Sequence, residues 1–351
     1  MRHCILTALI LVVCSTPAYA LDRGENDVLV RVADVGAGLC CIIVLPDADD
    51  DGKPEYIIYD AGNGSTQTIN KIKELIPEGE NIELLVLSHS DADHLAAVEK
   101  ICDAYKVKRV LRTGFARNTA VWKKAFRAIK KEVRTDGCMD INLAGGIFPR
   151  GATFRIGDAF IQFVAGWDEP PEDFELGTDR EGSEYRNAIS IVIKLTFHGK
   201  SVLFTGDSIG REIDAETEEE KHKAAELNMV EWDSVIPLKS DVIIAPHHGG
   251  DNGSSTPFIE AVDPDFVVFS AGNKFNHPRK EVAERYIAQG VIADKMFRTD
   301  RGSTQEADSK EWSGGHKGQV HPDGDKSGDD DVDILLRSDD PVIVAYESDG
   351  D

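Results

Sequence analysis

Short, continuous apolar runs that end in small polar turns recur along this chain. Leu84-Leu85-Val86-Leu87 leads into His89, and Val202-Leu203-Phe204-Thr205 into Gly206-Asp207. Val242 to Pro246 leads into His247-His248-Gly249, and Phe266 to Phe269 through Ala271-Gly272-Asn273 into His277-Pro278. Unbroken runs of this length mark strands buried on both faces. Between them the period changes. Leu95, Val98, Ile101 and Tyr105 recur at helical spacing, as do Trp122, Phe126, Ile129 and Val133 with Lys123, Lys124, Arg127, Lys130 and Lys131 on the outer face. Strands and helices in alternation predict an α/β fold. Residues at the C-terminal ends of neighbouring strands then share one rim of a sheet.

The turns at those ends carry the chemistry. His89-Ser90-Asp91-Ala92-Asp93-His94 puts four metal-competent side chains into six residues, directly after a strand and before a helix. Imidazole nitrogens and carboxylates bind divalent zinc or manganese, and such close spacing suits two ions a few ångströms apart. A lone Asp after a strand is ordinarily a cap, and a lone His pair ordinarily surface. Repetition in the same context, at Asp207, His247-His248 and His277, points instead to one shared site.

With these residues in view, the chain resembles the metallo-β-lactamase-fold hydrolases, and among them the hydrolase domain of ComEC-type competence proteins and its stand-alone relatives. The resemblance runs through Val32 to Gly38, Tyr56 to Gly62, Ser88 to His94, Asn187 to Val192, Leu203 to Asp207, Ala245 to Gly249 and Ser270 to Pro278. It implies a four-layer αββα sandwich of two mixed sheets flanked by helices, binding two divalent ions. Where most of the wider family has H-x-H-x-D-H, the second position here is Asp91, as in the ComEC-like branch. The family's mid-chain histidine is missing, because His198 lies in a turn, so the first metal draws an imidazole from His247 or His248. His89, Asp91 and one of that pair, with His247 favoured, are assigned to the first metal. Asp93, His94 and His277 go to the second, with Asp207 as the bridge.

A metal-bridging hydroxide between two such ions makes a phosphodiesterase or nuclease the leading expectation. Asp207 and the His of the pair that is not a ligand, His248, are the catalytic candidates; Asn252, Ser254 and Ser255 are candidates for substrate contact, and Asp60 and Asn187 for ordering the loops beneath the metals. Alternatives are a lactamase or thioesterase acting on a carbonyl, or a non-catalytic binding domain. The histidine-rich zinc site of class B lactamases is not reproduced, and a complete ligand set argues against a vestigial one.

The first twenty residues read as a removable leader: Arg2 and His3, an apolar core from Ile5 to Cys14, and a small-x-small site at Ala18-Tyr19-Ala20. Lipoprotein processing at Cys14 competes, with bulky Val13 against it. Residues 21–351 are expected to form one exported hydrolase domain, periplasmic or secreted, with a core at 27–300, an acidic extension at 301–351 and no stable membrane insertion. Export leaves a disulfide among Cys40, Cys41, Cys102 and Cys138 open, against free buried thiols. Net charge is −24, and removing Arg2 with the leader makes it −25. Such a body repels long polyanions, so the expected partner is a small phosphoester or single-stranded nucleic acid rather than duplex. The acidic stretch Arg211 to Trp232 reads as an exposed helix, Trp167 to Arg186 as a loop near the metals, and Asp323 to Gly328 as a weak calcium-loop start whose twelfth position, Ile334, lacks a carboxylate.

Overall fold

In the computed structural model the apolar runs become the inner strands of two stacked sheets; residues 21, 23–145, 150–176, 179, 182–272, 277–300 and 330–347 are described. The first sheet runs in the order Ile343–Tyr346, Val332–Leu336, Val28–Val32, Cys41–Leu45, Glu55–Tyr59, Leu84–Leu87, Arg109–Arg112, Met139–Asn142. The second runs Met296–Arg298, Phe266–Phe269, Val242–Ile244, Lys200–Phe204, Val192–Phe197, Ala159–Ala165, Thr153–Ile156. Both are mixed. Glu55–Tyr59 onward is parallel in the first sheet, and Lys200–Phe204 to Met296–Arg298 in the second; the remaining pairs are antiparallel.

Period-two alternation divides each strand between two interfaces. Val30, Ile43, Ile57 and Val86 meet Ile161, Leu195, Val202 and Ile244 in the core between the sheets. On the outer face of the first sheet, Ile42, Ile58 and Leu85 pack with Ile69, Ile101 and Ile129 of helices Ser65–Leu75, Val98–Ala104 and Ala120–Thr135. Leu203, Ile243 and Val267 pack the other way, against Met229, Ile259 and Val282 of helices Ala224–Glu231, Thr256–Val262 and Lys280–Ala288. The layers are therefore helix, sheet, sheet, helix, the expected four-layer α/β sandwich.

The core does not stop at residue 300. Val332–Leu336 pairs antiparallel with Val28–Val32, and buried Asp333 makes two hydrogen bonds to Arg31 at 2.7 and 2.8 Å. The end of the expected acidic extension is thus an inner strand of the first sheet. The leader and the Asp323-Gly328 segment lie outside the described residues. Cys40, Cys41, Cys102 and Cys138 are buried and free. Among the described residues no helix is long and apolar enough to cross a membrane.

Candidate metal centre

The two sheets bring their parallel-strand ends to one rim, and backbone contacts fasten them there. Ile191 N donates to Ser88 O at 2.8 Å, and Tyr59 Oη to Ile191 O at 2.5 Å. Gly206 sits at φ 54°, where an added Cβ would lie 2.7 Å from that of Ser88. Only glycine fits this crossing. The next residue, Asp207, is thereby delivered among the histidines.

Three of those histidines are tied at Nδ1 and present Nε2 inward. His94 Nδ1 meets Asp60 Oδ2 at 2.8 Å, His89 Nδ1 meets Ser88 Oγ at 3.0 Å, and His248 Nδ1 meets the Ser270 carbonyl at 2.7 Å. An imidazole that donates from Nδ1 has its lone pair on Nε2, the usual arrangement of a metal-binding histidine. The Nε2 atoms of His89, His94 and His248, and Asp207 Oδ1, are all buried without a hydrogen-bond partner. Orphaned polar atoms facing one another are costly unless something binds between them.

Asp207 divides the cluster into two sides. Its Oδ1 lies 3.2 Å from His94 Nε2 and 3.4 Å from His248 Nε2, while Oδ2 lies 3.7 Å from His89 Nε2 and 3.9 Å from His247 Nε2. Asp93 joins the Oδ1 side, 4.0 Å from His248 Nε2. Ligand atoms of His89, His94 and Asp207, and those of Asp93, His94 and His248, fall into groups compact enough for a metal ion. The donor set of imidazoles and carboxylates fits divalent metals. Burial favours neutral forms here, yet the Asp207 and Asp60 carboxylates hold His94 well above the ordinary imidazole pKa, and His94 and His248 hold Asp207 well below its own. Burial, reinforced by His94, lowers His89. The cluster is electrostatically coupled throughout.

Several expected roles change. Of the pair, His247 was expected as the ligand and His248 as the histidine left free. Both adopt left-handed backbone, φ 49° and 56°, and so both rings face Asp207. His248 is the better placed. His247 is instead engaged at both nitrogens, Nε2 with Asn187 Nδ2 at 3.1 Å and Nδ1 with Asn252 Oδ1 at 2.6 Å. Asn252 therefore orients an imidazole rather than facing substrate.

Ser254 and Ser255 are buried rather than turned to a substrate, with Ser254 Oγ 3.1 Å from Tyr286 Oη, and their backbone amides each donate at 2.7 Å to Glu226, a fully buried carboxylate whose pKa burial raises to about 7. Glu226 belongs to the helix Ala224–Glu231, which packs beneath the His-pair loop; the stretch expected as one exposed helix is helical only there, and its largely exposed first half is the antiparallel strand pair Arg211–Ile213 and Glu220–His222. His277 lies near His247, ring centres 5.4 Å apart and tilted, and joins neither compact group; burial, with His247 and His248 nearby, lowers its pKa to about 3. Asp91 leaves the cluster as well. Its carboxylate is clamped by Arg186 and Arg117, which outbid the metal side for its oxygens. Asp60 and Asn187 sit where loop-ordering residues were expected, Asp60 also accepting from Ser88 N at 2.7 Å and Ser88 Oγ at 2.6 Å. Arg117 and Arg186 were not anticipated, since arginines in polar loops carry no distinguishing pattern.

Residues 50–247 match the family model described as the Metallo-beta-lactamase superfamily. The chain is 24% identical over 322 residues to "Competence protein ComA" of Neisseria gonorrhoeae, covering 84% of this chain and 38% of that protein. It is 26% identical over 227 residues to "ComE operon protein 3" of Bacillus subtilis (strain 168), covering 64% of this chain and 24% of that protein. The chain thus spans well under half the length of these relatives. Among solved structures it is similar to Zn(2+)-bound PqqB from Methylobacterium extorquens (11% identity, TM-score 0.42, 78% of this chain and 97% of that one) and to a diphosphatase from the PhnP family (11%, 0.36, 69% and 85%). The matched segment includes the His89–His94 motif, Asp207 and His247, and more than half of the chain lies within it: this protein belongs to the metallo-β-lactamase superfamily of hydrolases.

Proposed function

We propose that the protein is an exported, binuclear metal-dependent phosphodiesterase. The observation that carries the reading is the division of Asp207, one oxygen toward His94, His248 and Asp93 and the other toward His89 and His247. Two zinc or manganese ions held there would supply Lewis acidity toward a phosphoryl oxygen and a water of lowered pKa. The protein groups do the positioning. Asp60, Ser88 and Ser270 fix the imidazole tautomers, and the carboxylates of Asp93 and Asp207 balance part of the metal charge while leaving a positive site for an anion. His247 borders the cluster, and Asn187 and Asn252 hold its ring at both nitrogens beside Asp207.

The rest of the chain restricts the substrate. A net charge of −24 disfavours duplex DNA, so small phosphodiesters come first and single strands second. Lys123, Arg127 and Lys130, exposed on helix Ala120–Thr135, are the surface for such a strand. The relation to competence proteins supports a nucleic-acid substrate, although the fold alone hosts many chemistries. The test reconstitutes the chain with zinc or manganese, counts ions, and compares bis(p-nitrophenyl) phosphate, p-nitrophenyl phosphate, single-stranded and duplex DNA, and a chromogenic cephalosporin. Close to two ions and preferential diester cleavage are expected. Cephalosporin opening without diester cleavage overturns the reading, and a first residue other than Leu21 in the secreted product overturns the assigned leader.

A further inference from the structure

Asp91 occupies the second ligand position of the motif, yet its carboxylate turns into a clamp of two arginines. Oδ1 accepts from Arg117 Nη1 at 2.9 Å and Oδ2 from Arg186 Nη2 at 2.9 Å, while Arg186 Nε closes on Oδ1. Burial would raise the Asp91 pKa, but Arg186, His89 and Arg117 together lower it. Two guanidinium groups thus converge on one carboxylate, in a chain that is strongly acidic overall. A single arginine already satisfies a carboxylate in bidentate fashion. The second is in excess. Arg117 Nε is buried and has no hydrogen-bond partner among the described residues.

The clamp is attached to the metal cluster from both sheets. Asp91 stands midway between His89 and Asp93, on the first sheet's rim. Arg186 is 6% exposed and is followed by Asn187, whose side chain holds His247. Arg117 follows Phe115, which packs near Tyr185, one residue before Arg186, with ring centres 5.8 Å apart. Guanidinium planes fixed this way need little further ordering to accept an anion.

We propose that Asp91 is not a metal ligand but the anchor of an anion-recognition pair, Arg117 and Arg186, which takes a nonbridging oxygen of the phosphoester held at the metal cluster. Asp91 is then a positioning residue, and Arg117 the group that reads the anion. The inference rests on the phosphoester reading above for its substrate, but the pair's affinity for phosphate is separable from turnover.

The probe is inorganic phosphate, titrated calorimetrically into zinc-loaded protein with the ion content measured on the same samples. Arg117→Ala should keep its zinc and bind phosphate about tenfold more weakly, with Arg117→Lys recovering part of the loss. Asp91→Asn should also retain zinc while losing phosphate affinity. With bis(p-nitrophenyl) phosphate, Arg117→Ala should raise KM more than it lowers kcat. Loss of zinc from Asp91→Asn, or parental phosphate affinity in Arg117→Ala, overturns the inference. A parent that binds phosphate through Arg117 but cleaves no diester refutes the phosphodiesterase reading and leaves the anion pair standing. A parent that cleaves diester with KM unchanged in Arg117→Ala does the reverse.

Discussion

Replacing Asp60 by Asn separates shape from charge at the base of the metal centre. The carboxylate is fully buried and takes three donors: Ser88 N, Ser88 Oγ and His94 Nδ1, at 2.7, 2.6 and 2.8 Å. Asparagine keeps one acceptor, enough for Ser88 N, and puts an NH2 group against the other two. His94 must then move its proton from Nδ1 to Nε2, which places an N–H toward Asp207 Oδ1 where a lone pair is needed. The lost bond is charge-assisted and worth about 1.5–3 kcal/mol, or roughly 10- to 150-fold in a binding constant. Loss of such a partner behind a ligating histidine typically costs about 10–100-fold in metal affinity, the same range. Competition against a zinc-chelating dye gives the constants, and circular dichroism confirms that the variant is folded. Asp60→Asn should fall in that range, with Asp60→Ala no better. A folded Asp60→Asn variant that holds zinc at parental affinity refutes the argument that Asp60 fixes the ligand tautomer.

Asp207→Ala should abolish diester turnover and lower metal content on both sides of the cluster, as measured by elemental analysis; two tightly held ions in that variant would remove it as the bridge. His248→Ala should cost more metal affinity than His247→Ala, because His248 has an unengaged Nε2 at 3.4 Å from Asp207 and His247 does not; the opposite order in a chelator titration would exchange their roles. Glu226 favours its neutral form when folded, so its contribution to stability is present below pH 4.5 and is lost as the pH rises toward about 7. That difference amounts to about 3 kcal/mol. Gln does not titrate, so the drop in urea-unfolding stability between pH 5 and pH 8 should shrink in Glu226→Gln; an unchanged drop would show that this carboxylate does not titrate there.

The strand ends were legible because burial on both faces writes a continuous apolar run, and because imidazole and carboxylate at the end of such a run have few structural uses. What their side chains do next depends on backbone angles that composition does not encode. Two successive left-handed residues at His247 and His248 convert an alternating pair into a convergent one, and neither is a glycine that would have signalled the turn. The C-terminal strand Val332–Leu336 lies in the stretch read as an acidic extension, and its pairing with Val28–Val32 was not legible, since hydropathy marks which residues are buried and not which distant segment buries them.

Charge is the least legible property, because its usual meaning is exposure. Glu226 sits in a run of acids and lysines that looks solvated, yet it is buried and carries two backbone amides of the His-pair loop, those of Ser254 and Ser255. Asp91 shows the same effect within the motif itself. Its spacing from His89, Asp93 and His94 matches a ligand's, and only the position of two arginines far apart in sequence, Arg117 and Arg186, shows that its oxygens are already taken. A motif fixes which side chains reach a site. The charges brought in from other loops determine which of them remain free to bind there.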